Sequence, residues 1–209
     1  MGRGFADAVQ GAQQVFRTLL DATARPGRVL RLPSEALHGL QAPPALGAGT
    51  TALLLTLLDA ETSVRLGAAP AGDAALAYLR FHTGAREALP GDAAAFQAWR
   101  CTDAVDGCWA ALDTGSDDAP QRGGTLIVEV DALHAAPAPL ARTDRHAGLR
   151  LHGPGIESAQ DLRVDGLARS FWRERIALQP LFPRGIDLVL VCGTHIAALP
   201  RSTRITLED

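Results

Sequence analysis

The chain contains no lysine; all twenty of its basic residues are arginine. A Schiff base to pyridoxal phosphate and a Walker-type phosphate loop both depend on a lysine amine, so this chain acting alone supports neither. Cysteine is scarce too. Cys101, Cys108 and Cys192 form an odd set of three at spacings unlike any zinc-ligand pattern. Cys101 and Cys108 are expected as a reduced pair, and Cys192 as a small apolar filler. Aromatic residues are only 5% of the chain, which leaves packing to aliphatic side chains. No apolar run approaches the ~20 residues of a membrane span; the longest lies near Ala52–Leu58. Asp7 and nearby glutamines interrupt the apolar core that a signal peptide would need. A formal charge of −3 gives no general attraction to nucleic acid or to an anionic membrane. These absences predict a cytoplasmic protein that binds neither.

What is present is ordinary for a globular chain: 209 residues, 47% hydrophobic and 21% charged. The expectation is one domain over residues 1–209. Its most informative stretch runs from Leu181 to Arg204. Ile186 to Cys192 is apolar on both alternating faces, with Val189 and Val191 pointing one way and Leu188, Leu190 and Cys192 the other. Such a strand is covered on both sides, as in an α/β sheet. Gly193-Thr194 supplies a glycine-first turn, His195 to Leu199 returns as a second strand, and Pro200 ends it.

The remaining chain alternates helices and strands. Phe5 to Ala24 reads as a helix with Asp7 near its cap and Val9, Ala12, Phe16 and Leu19 or Leu20 as its apolar stripe. Pro26-Gly27 stops it. Further helices are expected over Gly47–Leu58, Asp73–Phe81, Val105–Leu112 and Ala168–Gln179, the last with Phe171, Trp172 and Ile176 inward and its arginines solvated. Strands are expected over Arg28–Leu32, Ser63–Leu66, Thr125–Val130 and Leu149–Leu151. Ala93–Trp99 is helix or strand, Asp113–Gly124 a polar connector, Ala135–Asp144 a loop, and Leu162–Leu167 irregular or briefly extended. The alternation predicts an α/β/α three-layer fold around a mixed sheet.

Candidate chemistry is sparse. Leu149–Ile156, reading LRLHGPGI, ends a strand in a turn where backbone N–H groups of His152, Gly153 and Gly155 approach an anion, or where the chain simply reverses tightly. Arg25, Arg201 and Arg204 lie beside prolines or strand ends. There they either converge on a polyanion or pair with carboxylates such as Asp187 and Glu157. His82, His152 and His195 flank element ends without metal-binding spacing. No G-x-S-x-G elbow is present, and Asp117-Asp118 reads as a solvated loop. The binding candidates are therefore Arg25, His152, Gly153, Gly155, Asp187 and Arg201. No catalytic residue, metal ligand or cofactor is predicted.

Several blocks in order carry a resemblance. Phe5-Ala6-Asp7, Gln13, Phe16-Arg17 and Ala24-Arg25-Pro26-Gly27 open the chain. LRFHT at Leu79–Thr83, TLIVEV at Thr125–Val130 and LRLHGPGI follow, then FPRGIDLVLVCG at Phe182–Gly193 and ALPRSTRI at Ala198–Ile205. Together they resemble the PhnH subunit of the bacterial carbon–phosphorus lyase system. Arg184 stands where that family has an aliphatic residue, and Ser202 where it has threonine. The resemblance favours a strand at Ala93–Trp99. It implies a fold derived from pyridoxal-phosphate-dependent transferases without the lysine, a homodimer when isolated, and PhnG, PhnI and PhnJ as partners. It also implies a subunit of the complex that forms ribose 1-phosphonate 5-triphosphate from ATP and an alkylphosphonate, with release of adenine. The lack of a nucleophile–base set, metal constellation or phosphate loop in the sequence predicts that this subunit is non-catalytic. The alternatives are a stand-alone enzyme or binding protein for a phosphorylated, phosphonate or nucleotide ligand, and a scaffolding homodimer.

Overall fold

The computed structural model describes residues 2–67, 72–89, 91–104, 106–135 and 145–208. Its helices are α1 (Ala8–Ala24), α2 (Ser34–Leu37), α3 (Ala48–Leu57), α4 (Gly72–Thr83) and α5 (Arg169–Ala177). Its strands are β1 (Leu30–Arg31), β2 (Ser63–Leu66), β3 (Arg86–Glu87), β4 (Phe96–Arg100), β5 (Thr125–Glu129), β6 (Ala132–Ala135), β7 (His146–His152), β8 (Gln160–Asp165), β9 (Asp187–Cys192), β10 (His195–Leu199) and β11 (Arg204–Leu207). The expected Ala135–Asp144 loop falls, beyond Ala135, outside the described residues.

The main sheet is seven-stranded and mixed, in the order β1-β10-β9-β5-β4-β2-β3. From β9 to β3 its strands are parallel; β10 and β1 add antiparallel. The β9–β10 hairpin forms as its residues dictate. Cys192 pairs with His195, and Gly193 takes a φ of 59°, so glycine opens a two-residue turn. Val189 and Val191 enter one core and Leu188 and Leu190 the other, with Cys192 packed against the second. The next strand repeats the split: Ile196 and Ala198 face the first core, Ala197 and Leu199 the second.

Helices α1, α3 and α4 cover the first face. The second is covered differently from the α/β/α expectation. A four-stranded antiparallel sheet, β11-β7-β8-β6, lies there with α5 beside it. The cause is periodicity. Ala147, Leu149 and Leu151, then Leu162 and Val164, then Ile205 are apolar at every second residue and all buried in the second core. Residues 160–165 are therefore a full strand, longer and two residues earlier than the brief extension that is one of the two readings of Leu162–Leu167, and β11 extends the exit beyond Pro200. The 105–112 segment, expected as an α-helix, is described from residue 106 and makes only a 3-10 turn at Cys108–Ala111.

Asp7 caps α1 by accepting the N–H groups of Val9 and Gln10 at 3.0 and 2.9 Å. The buried face of α1, however, is Gly11, Val15, Leu19 and Ala22. Val9, Phe16 and Leu20 from the expected stripe are instead 78, 44 and 51% exposed. Small residues let the helix approach closely: a Cβ at Gly11 would lie 2.7 Å from the Phe5 ring. Close approach also seats α3, where a Cβ on Gly49 would meet the Gly193 carbonyl oxygen at 2.4 Å.

In the smaller sheet, Asp165 sits opposite both Ala132 and His146. Its Oδ1 accepts from His146 Nδ1 at 2.6 Å and Arg163 Nε at 3.3 Å. Burial alone would push this carboxyl up, but the His146 and Arg163 donors outweigh it and hold the group below its ordinary value. A depressed folded value means that the unfolded chain binds the proton more readily. The stabilisation is therefore complete above about pH 4 and is lost as pH falls through the folded value. We expect Asp165→Asn to lose stability at neutral pH and to flatten the acid limb of the stability–pH curve, as read by urea unfolding across that range.

Candidate functional site

At the amino end of β9, Asp187 and Arg201 form the densest polar cluster among the described residues. Asp187 Oδ1 accepts the Arg201 backbone N–H at 2.8 Å. The guanidinium returns to the same carboxylate, with Nε at 3.2 Å from both oxygens and Nη2 at 2.7 Å from Oδ2. Its other donors reach the connector: Nη1 to the Pro120 carbonyl at 2.6 Å and Nη2 to the Gly123 carbonyl at 3.0 Å. A Cβ on Gly123 would lie 2.2 Å from the Gly185 carbonyl oxygen, so the connector is drawn tightly onto the approach to β9. Arg201 is thus a bidentate structural clamp, and its charge is satisfied inside the protein.

The LRLHGPGI turn packs against two other signature blocks. Gly155, at φ 82°, approaches the Ala24 carbonyl so closely that a Cβ would stand 2.2 Å from it. Gly153 lies against the Ser202 carbonyl, where a Cβ would be at 3.0 Å. Between the turn and the Ser202–Arg204 segment is a groove of about 320 Å³, lined by His152, Gly153, Gln179, Phe182, Thr203 and Arg204 among others. Arg201 contributes to this wall as well. His152 Nδ1 donates to the Ser158 carbonyl at 2.8 Å, leaving Nε2 as the unprotonated ring nitrogen of the neutral tautomer.

The structure therefore brings His152, Gly153 and Arg201 to one groove, but not the other candidates. Asp187 sits at the β9 entrance, holding Arg201. Arg25 is ion-paired with Asp21 one turn back along α1. Gly155 is packed beneath Ala24. His82 contacts the Gly2 carbonyl at 3.1 Å through Nε2, and His195 opens β10, so the three histidines lie on separate elements. Among the described residues no group of three His, Cys, Asp or Glu side chains is placed to hold a metal. The three cysteines are free thiols; burial, then the Glu174 charge, pushes Cys108 up to about 11. No helix among the described residues is long and apolar enough to cross a membrane.

Ligands of open α/β sheets usually lie beyond the carboxyl ends of the strands, at a change in strand order. Here that change falls between β2 and β4. The crevice beyond their ends, near Gly67, Arg100 and Asp103, has a volume of only about 10 Å³. Its anion position, the N-terminus of α3, is filled from within: Glu129 Oε1 accepts the Gly47 N–H at 2.5 Å. Sequence reasoning missed Glu129 because its partner lies 82 residues away. It also misread Arg175 as solvated. Arg175 is 2% exposed and donates to the Pro200 carbonyl at 3.1 Å. Burial lowers its value to about 10, so it stays charged at neutral pH and ties α5 to the exit from β10. Arg184, the family departure, lies 2.9 Å from the exposed Asp117 carboxylate.

Comparison with known proteins places these features in a family. The model for the bacterial phosphonate metabolism protein PhnH matches residues 3–206. Over 205 residues the chain is 38% identical to the alpha-D-ribose 1-methylphosphonate 5-triphosphate synthase subunit PhnH of Rhizobium meliloti (strain 1021), covering 98% of this chain and 94% of that one. It is 32% identical over 196 residues to HtxG of Stutzerimonas stutzeri, named as a C–P lyase subunit protein, covering 94% and 86%.

The clamp can be tested by mutation. Removing Arg201 leaves the partly buried Asp187 carboxylate and two carbonyls without their donors. Arg201→Ala should destabilise the fold by about 2–4 kcal/mol, and Asp187→Asn, which keeps the shape and part of the bonding, by about 1–2 kcal/mol. Urea unfolding midpoints measure both.

Proposed function

The chain belongs to the PhnH family, and on that premise we propose that it is a non-catalytic subunit of a carbon–phosphorus lyase core complex. In this reading it associates with PhnG, PhnI and PhnJ and supports the formation of ribose 1-phosphonate 5-triphosphate from ATP and an alkylphosphonate, with release of adenine. The carrying observation is the near end-to-end match, at 38% identity, to a chain named as a synthase subunit. Two structural facts support a supporting role over a stand-alone enzyme. The usual ligand crevice is plugged by Glu129, and Arg25, Asp187 and Arg201 are bound to the protein's own groups. The same reading takes the fold as a descendant of pyridoxal-phosphate-dependent transferases that has lost the cofactor lysine, works in the cytoplasm and pairs as a homodimer when isolated.

A subunit also needs a face for its neighbours. Val9, Gln13, Phe16 and Leu20 recur at intervals of four, three and four residues along the outer side of α1, the seam on which a second helix packs. We assign this seam to a helix of a partner subunit.

The test is co-purification of tagged chain with PhnG, PhnI and PhnJ, followed by phosphonate-dependent adenine release with and without it. Assembly together with an activity that needs this chain is the expected result. Turnover of MgATP and a phosphonate by the purified chain alone would overturn the non-catalytic role. For the seam, Phe16→Asp combined with Leu20→Asp should leave the unfolding midpoint within about 0.5 kcal/mol of wild type yet abolish co-purification.

A further inference from the structure

Four polar functions around the groove between the His152–Gly155 turn and Ser202–Arg204 have no full set of partners. Arg204 and His152 are directly opposite each other in the β11–β7 ladder. Opposed residues of an antiparallel pair project from the same face, with Cβ atoms ~5 Å apart. Both are exposed, and the Arg204 guanidinium has no hydrogen bond or ion pair among the described residues. His152 is locked through Nδ1, so Nε2 is its unengaged nitrogen. Gln179 donates its Nε2 to the Ile205 carbonyl at 3.0 Å, which leaves its oxygen unused. Thr203 is 1% exposed, and its hydroxyl has no partner among the described residues. A buried hydroxyl left unpaired destabilises the free protein, a cost that persists where a ligand or its water completes the bonding.

The signs agree. Among the described residues lining the groove none is acidic, and Arg201 borders it with its charge answered by Asp187, so Arg204 sets the sign. Phe182 is 60% exposed at the rim and offers an aromatic face beside Arg204 and His152. A volume of about 320 Å³ suits a small organic molecule rather than a bare ion.

We propose that this groove binds a small organic phosphate or phosphonate, its oxyanion between Arg204 and His152 and its flat or apolar part against Phe182. A singly protonated phosphate or phosphonate suits both groups: its charged oxygens accept from the Arg204 guanidinium, and its P–OH donates to the unprotonated His152 Nε2. The site is independent of the subunit reading, because it is measured on the isolated full-length chain and needs no partner.

The experiment is a titration of the ¹⁵N-labelled chain followed by NMR, with inorganic phosphate, methylphosphonate and adenosine 5′-monophosphate in separate arms and chloride as the control. Saturable shifts confined to Gly153 and Ser202–Arg204 are expected for the phosphorus oxyanions and not for chloride. Arg204→Gln should weaken binding about tenfold. Thr203→Val should weaken it while raising the melting temperature of the free protein, since an unpaired hydroxyl is removed. If adenosine 5′-monophosphate binds more tightly than inorganic phosphate and Phe182→Ala abolishes the difference, the aromatic wall is part of the site. Equal binding of phosphate and methylphosphonate, both weakened to the same extent by Arg204→Gln, supports the shared oxyanion chemistry. Shifts that chloride reproduces, shifts spread over the whole surface, or an Arg204→Gln chain that binds like wild type would each overturn the proposal.

Discussion

The hairpin of β9 and β10 depends on the Asp187–Arg201 contact at its open end. Its tip is closed by Gly193, but its base has no backbone turn to hold it, since Pro200 removes the next donor of the ladder. One carboxylate at the start of β9 therefore receives both the backbone N–H and the guanidinium of the residue just beyond β10. The same guanidinium gathers the Pro120–Gly123 connector, and Arg175 reaches the Pro200 carbonyl from the second core. Sheet, connector and α5 thus meet where β10 ends.

That meeting point explains how distant signature blocks share a surface. Gly153 approaches Ser202, and Gly155 approaches the Ala24 carbonyl at the end of α1. The Gly155 approach is closer than a side chain permits, and at Gly153 a positive φ with a 3.0 Å contact leaves little room for one. The groove exists because a glycine turn, a helix end and a strand exit are packed backbone against backbone, and its polar side chains are those that face outward from that packing.

Much of this was legible in the sequence where the signal is local. Asp7 before an apolar helix, two-faced apolarity over Leu188–Val191, glycine opening a two-residue turn and Ser63–Leu66 as a strand all follow from neighbours in the chain. The second sheet was harder, since β8 alternates within a charged segment and β11 lies just beyond a proline. On α1 the larger side chains suggested the wrong face, because small residues and not bulky ones were needed for close packing. In the candidate site, residue types pointed to arginines, but partners decided their roles. Arg201 is neutralised by Asp187, Arg175 is buried beneath Pro200, and only Arg204 faces the groove without a partner among the described residues. Those partners lie tens of residues away and leave no local periodicity.

Glu129 has a consequence beyond closing the sheet's carboxyl edge. Because it is part of the chain, it behaves as a resident competitor whose effective concentration is set by the fold and not by the surroundings. A dissolved anion reaching for the α3 N-terminus must displace a carboxylate that never diffuses away. The protein thereby separates a position where charge is permanently answered from one, beside Arg204, where it is left open to exchange.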